Sequence, residues 1–266
     1  MRVGASDAMI PNGSRSPRLA LRGLLLATMM ALFACGSSGS EENPRNPAEA
    51  KNNMSVAKGR DTAGSADVAD STAAKPVVLF FGTSLTAGYG LDPGQAFPSL
   101  IQKKAEAEGV PIKAVNAGLS GETTAGAARR IDWVLRTPAD VVVVEAGAND
   151  ALRGLPPDAA KANLERVIET IRQKQPRAKI VLVQMEAPPN YGASYTQRFR
   201  SIYRDVSQKE RIPLIPFLLS GVAGVSRYNQ ADGVHPNLAG EQIVADNVWR
   251  GLKPIVAQLD RGLKRG

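Results

Sequence analysis

The chain contains very little of the chemistry from which proteins build disulfides and transition-metal sites. Its 266 residues include one cysteine and one histidine. A single cysteine excludes an internal disulfide, and this pair cannot form a zinc cage or a cysteine-rich cluster. Carboxylates are plentiful enough to leave an oxygen-ligated calcium or magnesium site open, but we expect no metal and no cofactor. Any imidazole chemistry must come from His235.

Aromatic residues are also scarce, at 5% of the chain. The net charge is +8, but the lysines and arginines are scattered and no basic run is interleaved with aromatic rings. This distribution does not favour nucleic-acid binding, and we expect no nucleic-acid partner. A hydrophobic content of 43% with 22% charged residues is typical of a globular protein.

The first 35 residues have the character of an export signal. A basic segment with Arg15, Arg18 and Arg22 precedes an uncharged, mostly apolar stretch from Gly23 to Ala34, which is too short to span a membrane. The motif Leu32-Phe33-Ala34-Cys35 resembles a bacterial lipobox, although Phe33 departs from the small or aliphatic residue usual there. We expect residues 1–35 to be a lipoprotein-type signal peptide and Cys35 to be lipidated. The alternative is ordinary cleavage near Ala34.

Composition divides the rest of the chain into two parts. Residues 36–75 are rich in serine, glycine, asparagine and alanine without lasting apolar periodicity, which predicts a flexible tether. Residues 76–266 form one predicted domain. We expect an exported, monomeric protein of the cell envelope, a periplasm-facing lipoprotein held at the membrane by its anchor. Without the anchor it would be soluble in the periplasm or secreted.

Five short apolar runs alternate with helical patterns through the domain. The runs are Val77–Phe81, Ile112–Asn116, Val141–Ala146, Ile180–Met185 and Leu214–Pro216. Continuous rather than alternating apolar strands indicate burial on both faces. The sequence therefore predicts an α/β fold, a parallel sheet covered by helices on both sides, with its functional site beyond the carboxyl ends of the strands.

Polar residues suited to acyl transfer follow three of these strands and precede the last helix. Ser84, Gly121 and Asn149 follow the first, second and third strands, and Asp232 stands three residues before His235. Each signal alone fits an ordinary turn, a helix cap or a structural histidine. Together they supply a nucleophile, a base with an orienting acid, and oxyanion donors.

These residues also carry a family resemblance. Ser84, Gly121, Asn149 and His235 match, in order and spacing, the four residues that name the SGNH or GDSL-type hydrolases. The resemblance covers Pro76 to about Gln258. Blocks 82–88, 147–154, 189–192 and 232–237 are most similar to the thioesterase I, arylesterase and lysophospholipase group of bacteria.

The resemblance implies a three-layer α/β/α sandwich with a five-stranded parallel sheet, of flavodoxin-like architecture. It implies that Ser84 attacks the substrate carbonyl and that His235, oriented by Asp232, is general base and then general acid. The backbone N–H groups of Ser84 and Gly121 and the side chain of Asn149 would form the oxyanion hole. The expected activity is hydrolysis of acyl esters or thioesters; the alternatives are a carbohydrate deacetylase of the same fold and a non-catalytic envelope lipoprotein.

Two further expectations come from the resemblance. One segment resembles a mobile loop that shapes the acyl groove; it consists of Ala151, Leu152, Arg153, Gly154, Leu155 and Pro156. Thr83 replaces the aspartate of the Gly-Asp-Ser-Leu signature, which takes no part in the proton relay. We expect the threonine hydroxyl to make a local turn hydrogen bond, held more weakly than by an aspartate.

Overall fold

A computed structural model describes residues 75–263, with side chains described as far as residue 259. The predicted signal peptide over residues 1–35, the lipidated Cys35 and the tether up to residue 74 lie outside the described residues and stay predictions. Among the helices within residues 75–263, none combines the length and apolarity needed to cross a bilayer.

Five parallel strands form the central sheet, in the spatial order β2-β1-β3-β4-β5. Their bounds are β1 Val77–Gly82, β2 Lys113–Gly118, β3 Val141–Val144, β4 Lys179–Val183 and β5 Leu214–Ile215. The predicted α/β class and the five-stranded parallel sheet are confirmed. Three strands end earlier than the apolar runs suggested, because the residues from Glu145, Gln184 and Pro216 onward leave the sheet to form the loops at its carboxyl edge.

Burial on both faces explains why the central strands are continuously apolar. All four valines of β3 are at most 1% exposed, and β1 is buried from Val78 onward. Val78 lies opposite Ala114 of β2 and Val141 of β3, so β1 is enclosed by strands as well as by helices. Strands of this kind cannot face water on either side.

Seven helices flank the sheet within the described part of the chain. They are α1 Ser84–Ala87, α2 Phe97–Ala107, α3 Thr124–Val134, α4 Ala148–Leu152, α5 Pro157–Lys174, α6 Ala193–Glu210 and α7 Leu238–Leu263. Helix α5 packs against α3 and α6, whereas α2 packs against α7. The face of α5 that contains Leu164 and Ile168 is buried, as the periodicity predicts. Asn237 caps α7 as predicted, since its side-chain oxygen accepts from the amides of Ala239 and Gly240 at 3.0 and 3.1 Å.

The order of the strands decides where a site can form. From β1 the chain crosses to β2 on one side, returns, and places β3 on the other side of β1. Right-handed crossovers in opposite directions put their helices on opposite faces of the sheet. The loops after β1 and β3 therefore separate at this reversal and leave a crevice, the usual ligand position in open α/β sheets.

Candidate active site

Ser84 stands at the first position of α1, directly after β1. Gly82 makes this close turn possible: a Cβ there would lie 2.0 Å from Thr86 Oγ1 and 2.6 Å from Glu145 Oε2. Gly88 ends α1 with φ 72°, a left-handed conformation that favours glycine. Ser84, which is 9% exposed, is thereby held at the edge of the sheet, at the end of a buried strand.

A buried carboxylate anchors the loop that carries Ser84. Glu145, 1% exposed, accepts hydrogen bonds from the Thr83 amide at 2.8 Å, the Thr83 hydroxyl at 3.0 Å and the Thr86 hydroxyl at 2.8 Å. Burial raises the pKa of Glu145 to about 7, against these hydrogen bonds, which lower it. The sequence analysis missed Glu145, although a single charged residue at the end of an otherwise apolar strand was a usable signal.

The local turn hydrogen bond expected of Thr83 is present, and the contacts with Glu145 add to it. Its local turn bond, accepted from the Leu85 amide, is long at 3.4 Å, and its shorter contacts go to Glu145. The hydroxyl donates to the buried carboxylate. An aspartate at this position would bring a second carboxyl against Glu145, and two adjacent carboxyls must share a proton. Threonine therefore holds the loop without that constraint.

His235 and Asp232 lie on the loop before α7. His235 contacts Ser84, although the two residues are 151 positions apart in the sequence. His235 Nε2 is 2.9 Å from Ser84 Oγ, and His235 Nδ1 is 2.6 Å from Asp232 Oδ2. The other oxygen of Asp232 accepts from the amides of Val234 at 2.9 Å and His235 at 3.0 Å. The structure thus brings the predicted nucleophile, base and acid into one hydrogen-bonded row.

These hydrogen bonds determine the charge of Asp232. Donation from the His235 amide, then from its ring, and from the Val234 amide lowers the pKa of Asp232 to about 2. The carboxylate is therefore ionised at neutral pH and favours a donor at His235 Nδ1. That leaves Nε2 to accept a proton from Ser84. The Tyr89 ring covers the imidazole with ring centroids 4.6 Å apart.

The predicted oxyanion residues line the same groove as Ser84 and His235. Gly121 adopts φ 77°, so its backbone has an orientation that other residues avoid. The Asn149 amide donates to the carbonyl of Glu122 at 3.0 Å, which orients the side chain. The Glu122 carboxylate is in turn held by Arg130, at 2.8 and 2.6 Å. Two loops are thereby tied together at the groove.

The groove extends from Ser84 along an apolar surface and has a volume of about 790 Å³. Its walls include Leu152, Met185, Pro188, Tyr191, Phe217 and Leu219. We call this surface the acyl groove. A surface of this kind favours the hydrocarbon part of a ligand over a polar one.

The predicted substrate loop, Ala151–Pro156, contributes unequally to the acyl groove. Leu152 lines it, Arg153 lines a neighbouring cleft, and Ala151 is buried at 1% exposure. The loop is tied down from α6 and the turn before it: the Tyr191 hydroxyl donates to the Leu152 carbonyl at 2.8 Å, and that of Tyr195 to Leu155 at 2.7 Å.

Metal ligands are not gathered anywhere in the described part of the chain: residues 75–263 contain no group of three or more histidine, cysteine, aspartate or glutamate side chains placed to hold an ion.

A parallel α/β sheet with a hydrogen-bonded serine, histidine and aspartate at its topological reversal is an arrangement of serine hydrolases, and the order Ser84, Gly121, Asn149, His235 is that of the SGNH hydrolases. Comparison with known sequences agrees, because residues 80–243 match the GDSL-like lipase/acylhydrolase family. The chain belongs to this family, and it is an enzyme that acts on ester bonds.

Individual relatives and solved structures show which members of the family this chain is similar to. The chain is 40% identical to esterase TesA of Pseudomonas aeruginosa over 69% of this chain and 91% of that protein. It is 32% identical to thioesterase 1/protease 1/lysophospholipase L1 of Escherichia coli, over 69% of this chain and 86% of that protein. Among solved structures, the psychrotrophic esterase EstA from Pseudoalteromonas sp. superposes with a TM-score of 0.65 at 33% identity, over 69% of this chain and all of that one.

Proposed function

We propose that the chain is a serine hydrolase that cleaves acyl esters or thioesters through an acyl-enzyme intermediate. The observation that carries this proposal is the row Asp232 Oδ2, His235 Nδ1 and Nε2, Ser84 Oγ, with separations of 2.6 and 2.9 Å, at the mouth of the acyl groove. Such a row activates a weak nucleophile by giving it an adjacent, oriented base.

In the first half of the reaction, Ser84 Oγ attacks the carbonyl carbon while His235 Nε2 takes the hydroxyl proton. The carbonyl electron pair moves to oxygen and gives a tetrahedral oxyanion. When the carbonyl reforms, the bond to the leaving oxygen or sulfur breaks, and His235 transfers its proton to that atom. The product that leaves is an alcohol or thiol, and the acyl group remains on Ser84.

In the second half, His235 takes a proton from water while the water oxygen attacks the acyl carbon. A second tetrahedral oxyanion collapses, the bond to Ser84 Oγ breaks, and His235 returns the proton to Oγ. The carboxylic acid leaves and the enzyme is regenerated. Asp232 stays ionised throughout and stabilises the imidazolium formed at each attack.

The oxyanion in both halves would be held by the backbone N–H groups of Ser84 and Gly121 and by the side-chain amide of Asn149. The Asn149 donor is oriented before substrate binds, because its bond to the Glu122 carbonyl already fixes the amide. Preorganised donors of this type are each worth about 10²–10³ in turnover.

The acyl groove favours esters of hydrocarbon chains over the acetyl groups of sugars. Its volume of about 790 Å³, lined in large part by apolar side chains, is more than an acetyl group needs. The names of the relatives, esterase, arylesterase and thioesterase 1/lysophospholipase L1, agree with this substrate class. The match to named esterases disfavours a non-catalytic role, and carbohydrate deacetylation is the competing outcome of the test.

The test compares Ser84→Ala with Ser120→Ala, since Ser120 lines the same groove and is exposed. We expect Ser84→Ala to lose hydrolysis of 4-nitrophenyl octanoate and labelling by a fluorophosphonate, and Ser120→Ala to keep both. Octanoyl esters should be cleaved faster than acetyl esters by the wild type. Full activity in Ser84→Ala would refute the mechanism, and a preference for acetyl esters would favour the deacetylase.

We also propose that the domain works at the cell envelope, attached through lipid on Cys35. The supports are the basic start, the short apolar stretch and the motif Leu32-Phe33-Ala34-Cys35. A long polar tether after the anchor would let the domain reach substrates at the membrane surface. With ordinary cleavage near Ala34 the domain would be soluble in the periplasm or secreted.

A further inference from the structure

A second cleft opens on the other side of Gly121 from the acyl groove. It has a volume of about 510 Å³, and Ser120 and Gly121 line both cavities. We call it the arginine cleft, because Arg129, Arg130 and Arg153 line it. Because Gly121 lines both cavities, the arginine cleft adjoins the predicted oxyanion hole.

The charge of the arginine cleft is positive after its internal pair is counted. Glu122, the single carboxylate that lines it, is 8% exposed and is bound by two nitrogens of Arg130 at 2.8 and 2.6 Å. Bidentate pairing of this kind neutralises both groups. Two guanidinium charges, on Arg129 and Arg153, remain.

Those two guanidinium groups are available to a ligand. Both side chains are exposed, and neither forms an ion pair with any carboxylate of residues 75–259. Arg153 uses one nitrogen to donate to the Gly121 carbonyl at 3.1 Å, which holds its guanidinium beside the predicted oxyanion hole.

From this arrangement we propose that the arginine cleft is a leaving-group subsite for phosphate, so that acyl donors with a phosphate in the leaving group are preferred substrates. The inference rests on the proposed function. The acyl chain lies in the apolar groove, and the phosphate binds Arg129 and Arg153. Guanidinium groups match phosphate oxygens in geometry and stay charged at every physiological pH.

The experiment uses two octanoate esters that share the acyl chain and the phenol ring: 4-(phosphonomethyl)phenyl octanoate, which is anionic, and its neutral diethyl phosphonate ester. Proteins are wild type, Arg129→Ala, the Arg129→Ala/Arg153→Ala double variant, and Arg166→Ala. Arg166 is the matched control, because it is an exposed arginine on α5 that lines neither cavity.

We expect the ratio of kcat/KM, anionic over neutral ester, to fall about threefold in Arg129→Ala and about tenfold in the double variant, as for exposed ion pairs. The wild-type ratio should also fall as salt is raised. Arg166→Ala should keep the wild-type ratio. An unchanged ratio in the double variant would overturn the inference, whereas failure of the wild type to cleave the neutral ester would overturn the proposed function instead.

Two phosphate sources are then compared with the same proteins. A loss in the double variant with lysophosphatidylglycerol assigns the cleft to a lipid headgroup, and a loss with octanoyl-coenzyme A assigns it to a nucleotide thiol. Either result supports the subsite. Wild-type rates on both donors in the double variant would show that the arginines do not act on such leaving groups, against the inference.

Discussion

Replacing Thr83 by valine should destabilise the domain by an amount that depends on pH. The substitution keeps the shape of the side chain and removes the hydroxyl that lies 3.0 Å from both oxygens of Glu145. Position 83 is 1% exposed, so water cannot replace the lost donor. A hydrogen bond to a charged group contributes about 1.5–3 kcal/mol, and one between neutral groups about 1 kcal/mol.

The pKa of Glu145 decides which of these values applies. Burial raises it to about 7, so the carboxyl is mostly protonated at pH 5 and mostly charged at pH 8. A carboxyl whose pKa is higher in the folded state than in the unfolded state contributes stability at pH values below its unfolded-state pKa. That stability is lost as the pH rises through its folded-state pKa. Because the Thr83 hydroxyl lowers the pKa of Glu145, removing it should raise that pKa further and extend the loss to higher pH.

We therefore expect Thr83→Val to reduce the free energy of unfolding by about 2–3 kcal/mol at pH 8 and by about 1 kcal/mol at pH 5. Urea unfolding followed by circular dichroism at the two pH values measures both numbers. Thr83→Ser is the control, because it retains the hydroxyl and removes one methyl group, at a cost of about 1 kcal/mol independent of pH. A larger loss at pH 5 than at pH 8 in the valine variant, or equal losses in the valine and serine variants at pH 8, would refute the reasoning.

Two other predictions concern the relay and the anchor. Asp232→Asn should lower kcat on 4-nitrophenyl octanoate by about 10³–10⁴ with an unchanged circular dichroism spectrum, because an amide can donate to His235 Nδ1 and leave Nε2 protonated; a loss below tenfold would contradict the role of Asp232. Cys35→Ala should release the protein from the membrane fraction and abolish incorporation of labelled palmitate, whereas Met30→Ala should change neither; membrane retention without Cys35 would count against lipid anchoring.

The sequence was sufficient for the architecture because each element carries a local signal. The valines of β3 predict a strand buried on both faces, and the spacing of Leu164, Val167 and Ile171 predicts the buried face of α5. Ser84, Gly121 and Asn149 could be recognised because they follow strands in order. The ends of the strands were less certain, since leaving the sheet depends on what the loop contacts.

The tertiary structure alone decided how these residues are held and what surrounds them. Thr83 and Glu145 are 62 positions apart, and Ser84 and His235 are 151 apart, so no local pattern links them. Parallel pairing brings the ends of β1 and β3 together and places Glu145 under the Ser84 loop. Arg129 and Arg153 likewise line one cleft because α3 and the loop after α4 lie close together at Gly121. Packing of the whole domain sets this contact, rather than spacing along the chain.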